Sequence, residues 1–363
     1  MLTPLSGIVK LAAEAQSESE IAAIKALIDS GEGKRFYIKA CLNAKSFEVK
    51  KMLIESGLNT NYRFSFGNTF ISFANTAEEA KLLIKYGADV NLRDKNKTTP
   101  LMLAKSADIA KILINAGAKV EARDADGRTA LIRSKSAEIT KLLIQYCADV
   151  NARANNGDTA LMYARNVLIA NALIKAGADV NAKNKSGLTP LMATDGKFIA
   201  RALIKAGADV NAQDKEGVTA LFSTLSCDKI KVLVKAGANL EIKDNYGNTA
   251  LLKAATTDEA HSLIDAGADI HVKDSKGNNI LHAMIGKLHQ DDVMGSYILL
   301  AKKLIKAGVN FAEPNHQGVN LLSRIRNKLT GAELESYALK MAAYSSINET
   351  DESMDRLPKR QRL

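Results

Sequence analysis

The sequence predicts an all-α solenoid, a fold in which many copies of one short helical unit stack in a row. The first observation is a repeat of 30 residues between Gly67 and Gly277, which continues without a single insertion. The second is that each copy contains two helical patterns followed by a turn. A fixed period of this length is typical of a solenoid, because each copy then packs only on its neighbours in one geometry.

When the 30-residue copies are aligned, each position of the repeat forms a column of equivalent residues. Two columns show the period most clearly: a turn glycine and the last leucine of each unit. The glycine recurs at Gly67, Gly127, Gly157, Gly187, Gly217, Gly247 and Gly277, and Lys97 fills the vacant position. The leucine recurs at Leu83, Leu113, Leu143, Leu173, Leu203, Leu233 and Leu263.

The first helix of each unit is predicted from a threonine that is followed by proline or alanine and then by an inward-pointing leucine. Threonine can cap the free amides at a helix start, and proline at the first helical position loses no hydrogen bond. The threonines are Thr69, Thr99, Thr129, Thr159, Thr189, Thr219 and Thr249.

The second helix begins seven residues after each threonine and ends at a glycine. Its cap column reads Thr76, Ser106, Ser136, Asn166, Gly196, Ser226 and Thr256. Acidic residues in the first turn suit the positive end of the helix dipole, and the final glycine suits the left-handed residue that ends a helix. Cys147 occupies this glycine position in one unit, so we expect backbone strain there.

The repeated pattern closely resembles the ankyrin repeat. The segments Gly187-Leu188-Thr189-Pro190-Leu191 and Gly207-Ala208-Asp209-Val210-Asn211 match that family almost letter for letter, and the resemblance covers roughly residues 1–345. It implies stacked helix-turn-helix units with projecting β-hairpin turns. Each unit is about three residues shorter than the usual ankyrin repeat, which predicts a shorter first helix. The family's histidine after Thr-Pro-Leu is kept only at His282.

Changes in the pattern towards both ends predict five segments. Residues 1–66 form divergent N-terminal repeats, residues 67–276 form seven regular repeats, and residues 277–317 form an extended repeat with an insertion at 283–299. Residues 318–345 form a C-terminal capping helix pair, and residues 346–363 form a disordered charged tail. Aromatic residues concentrate where the first two segments meet. They are interpreted either as cover for the N-terminal cap or as exposed anchors for a partner.

Composition and charge narrow the class of protein. A net charge of +10 is compatible with an ordinary solvated surface and also with binding of an acidic partner. Three cysteines without a pairing pattern fit a reducing compartment. No secretory leader and no apolar run of membrane-spanning length is visible. We therefore predict a cytoplasmic location, or the host cytosol or nucleus for a secreted effector, and no membrane association.

No catalytic or metal-binding constellation is visible in the sequence. The five histidines lie in the C-terminal third, and none has zinc-ligand spacing with a cysteine. We therefore predict a protein that is not an enzyme and that needs no metal or cofactor. One alternative stays open, an enzyme whose site lies in the insertion at 283–299.

The resemblance implies a protein–protein interaction scaffold that binds through its hairpin tips and inner helices. The candidate residues form a basic column beside the turn, a variable column on the first helix, and aromatic residues at the turns. The basic column is Arg63, Arg93, Arg123, Arg153, Lys183, Lys243 and Lys273, broken by Gln213. The other candidates are Phe73, Leu103, Arg133, Tyr163 and Lys253 on the first helix, with Phe64, Phe66 and Tyr246 at the turns.

We predict that these columns bind a partner protein with an acidic surface. One alternative is that the basic side chains merely pair with adjacent aspartates. Another is binding of nucleic acid or an acidic ligand, which the scarcity of aromatic residues beside the column disfavours. The Lys-, Asn- and Ile-rich composition resembles that of ankyrin proteins of intracellular bacteria or large DNA viruses. This resemblance implies a secreted effector, or an inhibitor or immunity protein.

Overall fold

The computed structural model describes residues 12, 18–29, 37–224, 226–285, 299–301, 303–304, 306–310 and 313–319. The chain divides into two compact units, Met1–Asp179 and Val180–Leu363. The described residues of both units form helices and turns and include no strand, which confirms the predicted all-α class. The turns between repeats close through backbone hydrogen bonds, such as that from the amide of Gly67 to the carbonyl of Phe64 (2.7 Å).

Each repeat of the first unit pairs a short inner helix with a longer outer helix. The inner helices are Phe70–Phe73, Leu101–Leu103, Ala130–Arg133 and Ala160–Tyr163. The outer helices are Ala77–Lys85, Ala107–Asn115, Ala137–Gln145 and Val167–Lys175. In the described part of the chain before them, helices lie at Glu18–Asp29, Tyr37–Asn43 and Phe47–Glu55.

The second unit repeats the same alternation. Its inner helices are Pro190–Ala193, Ala250–Lys253 and Ile280–Ile285, and its outer helices are Lys197–Lys205, Cys227–Lys235 and Thr257–Asp265. Most inner helices contain three or four residues, as expected from the shortened repeat. The recurring leucines of the outer helices, from Leu83 to Leu263, are at most 2% exposed, so one continuous column of apolar side chains supports each unit.

The predicted caps of the outer helices are confirmed. The side chains of Thr76, Ser106, Ser136, Asn166, Ser226 and Thr256 each accept a hydrogen bond from the amide three residues on. Gly196 offers no such group, and its helix has no side-chain cap. The spacing of the caps therefore sets where each outer helix begins.

The predicted caps of the inner helices are confirmed in only two repeats. Thr129 and Thr189 accept a hydrogen bond from the amide three residues on, each at 3.4 Å. Five other hydroxyls are buried without a hydrogen-bond partner among the described residues, those of Thr69, Thr99, Thr159, Thr219 and Thr249. After Thr69, Thr99, Thr159 and Thr219, the amide three residues on donates to the backbone carbonyl of the threonine. Most of these threonines therefore contribute a small buried side chain rather than a side-chain cap.

Asparagine side chains tie several repeats to the repeat that follows. In the first unit, the Asn91 side chain donates to the carbonyl of Gly117 (2.9 Å) and accepts from the amide of Lys119 (2.9 Å). In the second unit, Asn181 makes the same two bonds to Gly207 and Asp209. These bonds satisfy backbone groups at the end of the neighbouring outer helix, and they fix the stacking distance between repeats.

The strain expected at Cys147 is present, because its φ is +59°. We expect the substitution Cys147→Gly to stabilise the protein by roughly 0.5–1 kcal/mol, since a side chain with a Cβ is disfavoured in this conformation. A higher urea midpoint would support this result. Cys147→Ser is the matched control, because it removes the thiol but keeps the Cβ. An equal gain in both variants would show that the thiol, and not the backbone, is responsible.

Several predicted segments lie largely or wholly outside the described residues. They include most of the insertion at 283–299, nearly all of the capping helix pair at 318–345, and the whole tail at 346–363. The five-segment division and the enzyme site in the insertion therefore stay predictions.

Candidate functional site

The basic column is exposed along the turns of both units, and its members are Arg63, Arg93, Arg123, Arg153, Lys183, Lys243 and Lys273. In the first unit, the Arg63 guanidinium donates to the backbone carbonyl of Arg93 (2.8 Å). Arg93 donates in the same way to Arg123, and Arg123 donates to Arg153. Arg63, Arg93 and Arg123 thus each reach across to the turn of the next repeat.

The second unit continues this pattern with other residue types. The Lys183 ammonium donates to the carbonyl of Gln213 (2.8 Å), and the Gln213 amide donates to the carbonyl of Lys243 (3.2 Å). Glutamine is therefore able to fill the column, because the position requires a long side chain that ends in an N–H donor. The sequence showed only a gap in the positive charge at this residue.

The hydrogen bonds between repeats leave the positive charge of the first three arginines of this column uncompensated. The bonds of Arg63, Arg93 and Arg123 go to backbone carbonyls, which are uncharged, rather than to the neighbouring aspartates. Near the end of the column, Lys273 forms an ion pair with Glu313. In the first unit, Arg63, Arg93 and Arg123 are exposed cations held by neutral acceptors, and they give that unit a positive edge.

The inner-helix candidates differ in exposure. Phe73 and Tyr163 are 39% and 38% exposed, and Lys253 is also exposed. Leu103 and Arg133 are half-buried. The column is therefore only partly open to solvent.

A buried carboxylate holds Arg133 in place. Asp124 accepts from the side chains of Arg133 (2.8 Å) and Arg128 (3.0 Å) and from the backbone amide of Arg128 (2.8 Å). Burial acts to raise the pKa of the Asp124 carboxyl, but these hydrogen bonds outweigh it, and the pKa lies below its ordinary value. Asp124 therefore remains a carboxylate that orients two arginines.

The N-terminal aromatic residues divide between the two interpretations made from the sequence. Phe64 is half-buried and packs edge-on against Tyr62, Phe70 and Phe73, with ring centroids 5.3, 5.0 and 5.6 Å away. Phe66 is 75% exposed at the tip of the same turn. Phe64 therefore covers the first repeats, whereas Phe66 is available to a partner, as is Tyr246 in the second unit, at 64% exposure.

A groove of about 630 Å³ opens between the inner helices of the first unit. It brings together Leu103, Arg133 and Tyr163 from the predicted site. It also includes four basic residues that sequence reasoning missed, namely Lys105, Arg128, Lys135 and Arg165. Three of them, Lys105, Lys135 and Arg165, share one position of the 30-residue repeat, so their alignment was visible in the sequence.

In the described part of the chain, no three His, Cys, Asp or Glu side chains lie close enough together to hold a metal ion. None of its helices combines the length and the apolar character needed to cross a membrane.

Comparison with known proteins places the repeats in a family. A family model of ankyrin repeats in three copies matches residues 37–124, 105–184, 165–244 and 190–274. Among solved structures, the chain is similar to the ankyrin repeat domain of Bcl-3, described as a unique member of the IkappaB protein family. That likeness has 27% identity and a TM-score of 0.45, and it covers 55% of this chain and 99% of that one. Curated proteins gave no match.

The family match extends over residues 37–274, more than half of the 363 residues. It agrees with the stacked inner and outer helices, so the predicted ankyrin-repeat solenoid is confirmed. Repeats of this kind serve in general as protein-interaction scaffolds and are typically non-catalytic. On these grounds the chain belongs to the ankyrin repeat family.

Proposed function

We propose that this protein is a noncatalytic scaffold that binds a partner protein with an acidic surface. The observation that carries the proposal is the exposed row of arginines whose hydrogen bonds go to neutral carbonyls. Within the first unit, the contact surface would comprise Arg63, Arg93, Arg123 and Arg153, the exposed part of the inner-helix column, and Phe66. A role as a secreted effector, or as an inhibitor or immunity protein, rests on composition and belongs to the same proposal.

The alternative of binding nucleic acid through the basic column has less support. Single-stranded nucleic acids bind where aromatic rings alternate with basic residues, because each base stacks on a ring. Among the turns that carry Arg93, Arg123 and Arg153, the corresponding tip residues are Asn96, Asp126 and Asn156. A carboxylate and two amides at these positions favour a protein partner.

The test replaces Arg93, Arg123 and Arg153 together with glutamine. Gln213 already occupies this column and makes both types of bond, to Gly217 (2.8 Å) in its own turn and to Lys243 in the next. The substitutions should therefore remove three charges while keeping the hydrogen bonds between repeats. We expect association with a purified partner to slow about tenfold at low salt, and to depend less on salt concentration.

The partner is first isolated by capture on the intact chain, identified by mass spectrometry, and purified. Association rates are then measured against salt concentration by surface plasmon resonance. A triple variant with Lys81, Lys111 and Lys141 replaced by glutamine is the matched control, because these exposed lysines lie on outer helices. Equal rates for both triple variants would contradict binding through the basic column.

A further inference from the structure

We propose that the groove between the inner helices of the first unit binds an acidic segment of the partner that also carries an aliphatic side chain. This inference rests on the scaffold function proposed above and names the chemistry of the segment that the scaffold would bind. The groove has a volume of about 630 Å³, which lies within the range typical of ligand pockets.

The floor of the groove is aliphatic. Leu101, Met102 and Ile132 are buried side chains that line it, together with Ala130 and Ile139. An aliphatic side chain placed on this floor would remove apolar surface of both partners from water. The floor therefore favours a Leu, Ile, Val or Met side chain in the bound segment.

The rim of the groove is cationic. Five basic residues line it and no acidic residue does, among the residues that the structure describes. Arg128 and Arg133 share the buried carboxylate of Asp124, and Arg128 also pairs with Asp126, so these two arginines are compensated. Lys105 donates to the neutral Asn75 side chain (2.6 Å). Lys135 and Arg165 are exposed and have no hydrogen-bond or ion-pair partner among the described residues.

The exposed cations of the rim determine where an acidic segment would bind. Arg133 is half-buried, and its Nη1 donates to the Asp124 carboxylate. The side chains of Lys135 and Arg165 are exposed to solvent, so a carboxylate of a bound segment can reach them. These two cations would therefore attract the acidic groups of the segment.

An acidic peptide fits these features better than a nucleic acid does. The groove offers one aromatic ring, Tyr163, and its hydroxyl is held by the Asp158 carboxylate (2.8 Å). Stacked bases require several rings, whereas the floor consists of aliphatic side chains. Charge complementarity and the aliphatic floor therefore point to an aspartate- and glutamate-rich segment that carries an aliphatic residue.

The test uses a fluorescein-labelled pool of short peptides in which leucine is flanked by aspartate and glutamate. A second pool replaces these acids with asparagine and glutamine, and labelled oligothymidylate represents nucleic acid. We expect the acidic pool to bind the full chain and the neutral pool not to bind. We also expect the binding to shift the ¹³C-methyl NMR signal of Met102, which lies in the floor.

The groove variant is Lys135→Gln combined with Arg165→Gln, because neither side chain has a partner that the fold depends on. We expect it to bind the acidic pool about tenfold more weakly, since two exposed ion pairs would be lost. Lys111→Gln combined with Lys141→Gln removes the same charge from the outer helices, and should bind as the unchanged protein does. Circular dichroism confirms that each variant is folded.

Three results would overturn the inference: no binding of the acidic pool at millimolar concentration, equal binding by the groove and outer-helix variants, or tighter binding of oligothymidylate that shifts Met102. Binding measurements with the purified partner distinguish a failure of the groove inference from a failure of the scaffold proposal. If the groove variant binds the partner normally while the variant of Arg93, Arg123 and Arg153 does not, the scaffold stands and the groove inference fails.

Discussion

Replacing Lys229 with isoleucine should stabilise the protein by about 3 kcal/mol at neutral pH. Lys229 lies in the outer helix Cys227–Lys235 and is 0% exposed. Its ammonium donates to the carbonyl of Thr194 but has no carboxylate ion-pair partner within the described residues. Isoleucine occupies the equivalent position in four other repeats, as Ile109, Ile139, Ile169 and Ile199. The substitution therefore restores the apolar contact that these repeats make.

The pH dependence of the effect follows from the pKa of Lys229. Burial lowers this pKa from 10.5 to about 8, and the nearby Asp195 carboxylate opposes the shift only weakly. Below pH 8 the side chain is charged in both the folded and the unfolded protein, so the cost of burying the charge is fully present. Between pH 8 and 10.5 the folded protein holds the neutral amine, and stability rises with pH.

Urea unfolding at pH 7 and at pH 10 measures both effects. The advantage of Lys229→Ile over the unchanged protein should be large at pH 7 and should shrink at pH 10. Lys231→Ile is the matched control, because Lys231 is exposed on the same helix. An unchanged midpoint for Lys229→Ile would mean that the ammonium reaches water in solution.

Replacing Gly187 with alanine should destabilise the protein by about 2–4 kcal/mol, for two reasons that add. Gly187 has a φ of +87°, which an alanine adopts only with strain. A Cβ at this position would also lie 2.9 Å from the backbone nitrogen of Lys215 in the next turn. That nitrogen donates to the carbonyl of Ser186 (3.0 Å), so relief of the contact would weaken the bond between the two turns.

Gly207→Ala separates the two causes. Gly207 has nearly the same φ, +90°, but a Cβ there would meet no atom within 4 Å. We expect this control to cost about 1 kcal/mol, which is the backbone strain alone. Both midpoints are read from urea unfolding at one pH. An equal loss in the two variants would show that the turns of adjacent repeats are not in close contact.

The repeat architecture was predictable from the sequence because the interactions that define it are local. A cap such as Ser106 lies three residues from the amide that it binds. The leucine at the position of Leu113 recurs at the same place of the outer helix in every regular copy. Such interactions depend only on the spacing of residues along the chain, and the same spacing occurs in several copies of the 30-residue repeat. The fold class, the outer helices and the strained Cys147 could therefore be predicted from single residues and their neighbours.

The candidate site was predicted only in part. The basic column was visible as a pattern in the sequence. However, side chains such as Arg63 donate to carbonyls in the next turn, and the sequence does not show which acceptor lies within hydrogen-bond distance. Phe64 and Phe66 stand two positions apart in one turn, yet one packs on neighbouring rings and the other is exposed. The exposure of each of these side chains depends on which residues surround it in the folded protein.

Other features depend on contacts between residues far apart in sequence. The groove of the first unit forms because inner helices and connecting loops of successive repeats lie side by side, which places Lys105, Lys135 and Arg165 around one cavity. Lys229 stands at a position that is isoleucine in four other repeats, but only the packed helices around it show that its ammonium is excluded from water. The sequence by itself determined the repeating unit, through hydrogen bonds and apolar contacts within a few residues. The tertiary structure alone decided which charges are buried, paired or free, because burial and electrostatic energy depend on distances through space.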